Sequence, residues 1–134
     1  NINLLYSPEF IALGTVIYNL RFPDMTLVGC NNPKEAKVFL DVMANVIKNN
    51  AEVSIINLRE AEIVKISLNG FITTKISFAN MISDLCDNLN ASKEVVLGAI
   101  GGDSRIGNKY FRAGYSFGGP CFPRDTKALK QLIC

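Results

Sequence analysis

NLREAEIVKISLNGFITTKISFANMISDLCDN, residues 57–88, contains no proline and a single glycine, Gly70. With no residue that would stop it, the stretch predicts one continuous helix of about thirty residues, well beyond the roughly 11–12 of an average globular helix. Ile63, Ile66, Ile72, Ile76 and Phe78 make most of its circumference apolar, so other structure is expected to cover it on several sides. At about 100° per residue, Glu62, Lys65, Asn69 and Asn80 fall into one polar stripe. Two readings of that stripe stand at this point. It faces solvent, with Glu62 and Lys65 forming a surface pair worth a few tenths of a kcal/mol, or it is turned inward, where polar groups need partners.

On the N-terminal side, INLLY (2–6) and MTLVGC (25–30) are short apolar runs bounded by Ser7, Pro8, Pro23 and Asn31, and read as buried strands. Asn32 and Pro33 form a cap followed by a first-turn proline. Ala36, Phe39, Leu40, Met43 and Ile47 then recur at helical spacing as far as Asn49 and Asn50. On the C-terminal side, Ser92 caps a shorter helix expected to end near Ile100. Gly101, Gly102, Gly107, Gly114, Gly118 and Gly119 next demand tight turns. A last helix restarts at Pro123 and ends in Leu132, Ile133 and Cys134 with no cap, which reads as a chain cut short. The boundary falls near Asn57, dividing a small α/β portion (1–56) from a helical portion (57–134).

The richest chemistry lies in GYSFGGPCFPRD, residues 114–125. Glycines bring the backbone close to something, and Cys121 stands at the start of a helix with Arg124 behind it, an arrangement that favours a thiolate nucleophile. Asp125 opposes this electrostatically but is placed to orient a water or a hydroxyl. The plainer reading is a glycine-rich turn with a buried cysteine. Cys30 and Cys86, in apolar surroundings, read as small core residues. From residue 93 on, seven basic residues face three acidic ones. Arg105, Lys109 and Arg112 beside Tyr110 and Phe111 suit a phosphate and a flat ring, a solvated basic loop, or single-stranded nucleic acid.

Composition narrows these choices. The chain has 134 residues, 49% of them hydrophobic, and a net charge of +2, which suits one small globular body and argues against a polyanion binder. With no histidine, Ser-His and Cys-His catalytic pairs within the chain are excluded, and zinc loses its commonest nitrogen ligand. The four cysteines form no CxxC, so no metal site is expected. No apolar run is long enough to cross a bilayer and no signal-peptide pattern opens the chain, so a soluble cytoplasmic protein is expected, away from membranes and nucleic acid.

Taken in order, SPEF (7–10), AEIVKISLN (61–69), KISFANMISDLCDNL (75–89), DSRIGNKYF (103–111) and FGGPCFPRDTKAL (117–129) resemble the nucleotide-sugar dehydrogenases that oxidise UDP-glucose and GDP-mannose. The resemblance implies a mainly α fold with a small α/β N-terminal portion. Its long central helix would sit in a bundle like the C-terminal domain of 6-phosphogluconate dehydrogenase. Residues 1–56 would complete an NAD-binding domain, and residues 57–134 would form the central catalytic domain, homodimeric through the long helix. The implied reaction takes a sugar primary alcohol to a carboxylate with two NAD. Cys121 would be the nucleophile, Lys65 and Asn69 would stabilise negative charge on the substrate oxygen, Asp125 would position water, and Glu9 would serve as base for thioester hydrolysis. Phe10, Tyr110, Phe117 and Gly118 would bind substrate, with Arg105 delivered from the opposite subunit. No GxGxxG follows a strand, so NAD would be held mainly by a domain missing from this chain, which would not turn over alone. Pro120, Arg124 and the continuation of SPEF as IALGTVI depart from the commoner family pattern and leave the UDP-sugar or GDP-sugar open. Two other classes remain: a non-catalytic helical dimerisation module, and the helical domain of a hydroxyacid dehydrogenase, against which GGPCFPRD argues.

Overall fold

The computed structural model describes residues 3–133; Ile2 of the first apolar run and Cys134 lie outside the described residues. The chain divides into two compact units, Asn1–Lys65 and Ile66–Cys134.

The first unit is built on a three-stranded sheet ordered β1 (Leu5–Tyr6), β2 (Met25–Cys30), β3 (Glu52–Ile56). Strand β1 runs antiparallel to β2, with Tyr6 opposite Gly29, whereas β3 runs parallel to β2, with Gly29 opposite Ile56. The central position of β2 explains its unbroken apolar sequence: Thr26 to Cys30 are all buried, as in strands covered on both faces. Of the first apolar run, only Leu5 and Tyr6 pair as a strand among the described residues. Val28, Cys30 and Ala36 form the core, with Leu5, Phe39 and Leu40 packed against it. Gly29 is there because the start of the long helix crosses close above it. A Cβ at this position would lie 2.7 Å from the Ala61 Cβ and 3.2 Å from the Leu58 Cα.

Helix α1 (Val16–Arg21) was not legible in the sequence, since its Val16, Ile17 and Tyr18 are exposed and show no core-facing period. Asn32 caps as expected, its Oδ1 accepting from the Lys34 N–H at 3.1 Å. A 3₁₀ turn over Pro33–Glu35 then leads into α2 (Ala36–Met43). The apolar period runs on to Ile47, but the regular helix ends at Met43. The Asn45 side-chain amide takes the Asp41 carbonyl at 2.9 Å, while the Asn45 backbone N–H turns to Val42.

The long helix α3 (Leu58–Asn88) is observed, and the division between the two units falls inside it. It starts in a reciprocal cap: Asn57 Oδ1 accepts from the Glu60 N–H at 2.9 Å and Glu60 Oε2 accepts from the Asn57 N–H at 3.0 Å. It ends in a Schellman turn, with Asn90 at φ 52 and the Ala91 N–H donating to the Cys86 carbonyl at 2.9 Å.

In the second unit, Ser92 caps α4 (Lys93–Gly102) by accepting from the Val95 N–H, and Ala79, Leu97 and Phe111 form the core. Helix α5 (Phe122–Ile133) lies against α3 through small contacts. A Cβ on Gly70 would come within 2.8 Å of Leu129 Cδ2, and the Thr73 and Thr126 hydroxyls are 3.4 Å apart. Within the second unit α3 is covered by α5 and by the core around Phe111, as expected, but not all round: Phe71, Met81 and Leu85 are each more than half exposed. Among the described residues, no helix is long and apolar enough to cross a membrane.

Candidate functional site

The SPEF segment follows directly on β1, and its backbone meets the end of the first unit's share of α3. Lys65 Nζ donates to the Glu9 carbonyl at 2.7 Å and sits 4.9 Å from the centre of the Phe10 ring. An ammonium has three donors, so this anchoring leaves Lys65 capacity for a further acceptor. The Lys65–Glu62 surface pair is corrected: Lys65 is half-buried and turned to Glu9 and Phe10. The Glu9 side chain is exposed.

Four residues further along the helix, in the second unit, Asn69 is buried and its Nδ2 donates to Asp125 Oδ2 at 2.6 Å. This, too, overturns a purely solvent-facing stripe. Asp125 is only 4% exposed, and its other oxygen accepts from Arg124 Nε at 2.8 Å. A buried carboxylate needs such donors, and here they come from one neighbour in sequence and one distant residue. Asn69 has two N–H donors on its amide, of which Asp125 takes one.

Cys121 sits at the N-terminal end of α5, where its carbonyl accepts from the Asp125 N–H at 2.8 Å. Its side chain is exposed, which corrects the reading of a buried cysteine in a glycine turn; among the described residues, Cys30 and Cys86 are buried free thiols. Gly119, at φ 78, makes the turn leading into Cys121. Phe117 is half-buried, and Gly118 has open space where a side chain would stand.

Tyr110 is 46% exposed, and its ring meets Phe122, the residue after Cys121, edge-on at 6.4 Å. Tyr110, Arg112, Tyr115 and Ile76 help to line a cavity of about 450 Å³. Arg105 projects into solvent but is held by Asp103, with Nη2 to Oδ2 at 2.6 Å and Nε to Oδ1 at 3.0 Å. That pairing lowers the Asp103 carboxyl below its ordinary range, chiefly through the Arg105 side-chain hydrogen bond. Asp103 went unread in the sequence, although an Asp bonding the backbone N–H two residues on is a recurrent turn device. Lys75 and Asn80 bond the loop backbone of this unit, with no signal in the sequence beyond their polarity on an apolar helix.

Within the second unit, then, the arrangement is a helical one: Asn69 on α3 and Asp125 on α5 form a buried amide–carboxylate pair, and an exposed thiol stands at the start of α5. The chain belongs to the UDP-glucose/GDP-mannose dehydrogenase family, whose central-domain model matches residues 59–133. It is 34% identical over 131 residues to the UDP-glucose 6-dehydrogenase of Rickettsia felis, covering 98% of this chain and 29% of that one. With the UDP-glucose 6-dehydrogenase TuaD of Bacillus subtilis it shares 37% identity, covering 97% of this chain and 28% of the relative. A solved UDP-glucose dehydrogenase from the archaeon Pyrobaculum islandicum superposes with a TM-score of 0.89 at 38% identity, over 97% of this chain and 29% of that one. The chain therefore spans less than a third of the length of these relatives.

Proposed function

We propose that this chain is part of an NAD-dependent nucleotide-sugar dehydrogenase, oxidising the primary alcohol of UDP-glucose, or of a close UDP- or GDP-sugar, to the carboxylate. In this reading residues 1–56 belong to the NAD-binding domain and residues 57–134 form the catalytic domain. The observation that carries the reading is the buried Asn69–Asp125 pair anchored to the turn of helix that begins at the exposed Cys121. A core that served only packing would gain more from apolar residues at these two positions.

The Cys121 sulfur adds to the carbon of the sugar aldehyde, the thiol proton ending on the oxygen, to give a thiohemiacetal that keeps the aldehyde from leaving. Lys65 and the second N–H of Asn69 donate to that oxygen while it carries negative charge, fixed donors needing no reorganisation. Asp125, acceptor-only as a carboxylate, orients a water or takes up a proton. Glu9 serves as base when water cleaves the thioester, which loss of a hydride and a proton from the thiohemiacetal would leave on Cys121, back to free thiol and acid. Phe10, Tyr110, Phe117, Gly118 and an Arg105 reaching from the second copy hold the substrate.

NAD supplies the hydride acceptor when bound. The described residues do not fit its pyrophosphate: β2 passes into the Asn32 cap and β3 into the Asn57 cap, so both helix starts are closed by the chain's own side chains. We assign NAD binding to the length of the relatives that this chain does not span. Homodimerisation through α3 is supported by exposed Phe71, Phe78, Met81 and Leu85, which recur at coiled-coil spacing along one side of the helix.

The test is turnover of the full-length protein with UDP-sugars, with two NADH expected per sugar. Cys121→Ala is expected to lower kcat by at least about a thousandfold; a normal rate in that variant would refute the assigned nucleophile.

A further inference from the structure

Within the second unit, the segment that carries Tyr110 is fastened to α3 at three places. Lys75 Nζ donates to the Ile106 carbonyl at 2.9 Å and to the Gly107 carbonyl at 3.1 Å, and lies 5.6 Å from the centre of the Phe111 ring. Phe111 is buried against Ala79 and Leu97. Asn80 Oδ1 accepts from the Gly114 N–H at 3.0 Å. A lysine whose hydrogen-bond acceptors are two adjacent main-chain carbonyls is fixing a backbone path, because its charge answers the convergence of two carbonyl dipoles at one point.

The path being fixed is an unfavourable one. Tyr110 has φ 59 and Gly107 has φ 73, and a tyrosine holds that conformation only when its surroundings impose it. Between the three fastenings Tyr110 stands outward, with its ring edge-on to Phe122 immediately after Cys121. The strain at Tyr110 thus yields a definite product: an aromatic ring presented beside the start of α5.

We propose that Lys75 and Asn80 are positioning residues that clamp the 106–114 loop at its two ends and so present Tyr110 beside Cys121 for substrate binding. The inference rests on the proposed function for its substrate and on the hydrogen bonds alone for the clamp. The clamp acts through Tyr110, so its loss falls on substrate binding more than on the chemical step.

In the full-length protein, Lys75→Met keeps the apolar stem and removes the charge. It is expected to raise KM for UDP-glucose about tenfold while kcat changes less than about threefold, and Lys75→Arg, which can still donate to both carbonyls, recovers most of the loss. An unchanged KM in folded Lys75→Met overturns the proposal. If Lys75→Met does not fold, Asn80→Ala carries the test, with amide exchange at Gly114 expected to accelerate about tenfold or more; exchange at the wild-type rate overturns the proposal. Exchange needs no turnover, so it also separates the two readings. Wild-type protein that oxidises no nucleotide sugar refutes the proposed function, whereas faster exchange across residues 106–114 in the variants still upholds the clamp and unchanged exchange refutes it.

Discussion

Removing either partner of the Asn69–Asp125 pair strands a polar group in a closed environment. Asp125→Ala leaves the Asn69 amide, 7% exposed, without its acceptor, and Asn69→Ala leaves a carboxylate, 4% exposed, with one donor fewer. A hydrogen bond to a charged group contributes roughly 1.5–3 kcal/mol, and a buried group left unpaired costs roughly 1–3 kcal/mol. The Arg124 end of the network adds little, about 1 kcal/mol at most, because that side chain is largely exposed. Each single variant should therefore lose about 2–3 kcal/mol. The double variant removes both members of the buried Asn69–Asp125 hydrogen bond together, so its cost should fall short of the sum by about 1.5–3 kcal/mol. Urea unfolding of the four proteins, with equal m-values as the check on two-state behaviour, measures that coupling. A coupling below about 0.5 kcal/mol would mean that the two side chains do not depend on one another, and the account of this site as a buried amide–carboxylate unit would fail.

Gly29→Ala should destabilise by about 1–3 kcal/mol in chemical denaturation, because its new Cβ meets Ala61 and the α3 backbone, and Ala61→Gly in the same protein should recover part of the loss. Iodoacetamide should label Cys121 well before Cys30 or Cys86, read by peptide mass, since only Cys121 among these three is exposed. The Asp103 carboxyl, depressed by Arg105, should titrate below the ordinary carboxylate range by NMR, and Arg105→Gln should move its midpoint upward. The sign follows from the depression: the pair's contribution is present above the unfolded carboxylate pKa and is lost as pH falls through the folded one.

Much of the fold can be read from residues 57–88 because helix continuity is a local property: no proline, one glycine, and an apolar surface. The starts of α4 and α5 were legible for the same reason, Ser92 and Pro123 acting within a turn of themselves. Where a side chain competed with the backbone, as Asn45 does at the end of α2, periodicity overshot the helix. At the candidate site, the family resemblance singled out Cys121, Lys65, Asn69 and Asp125, yet the sequence left open which of them are buried. A 3.6-residue period places Asn69 on a stripe without saying what covers it, and the answer came from α5, fifty-six positions away, which brings Asp125 to its amide.

The sequence by itself determined which segments are helix or strand and which chemistry-bearing residues accompany them, since propensity, capping and spacing act over a few neighbours. Only the tertiary structure decided that Asp125 is enclosed while Cys121 is open, and that Lys75 and Asn80 are used to hold backbone. Burial and the pairing of polar groups depend on segments far apart in the chain meeting in space, and no local pattern contains that information.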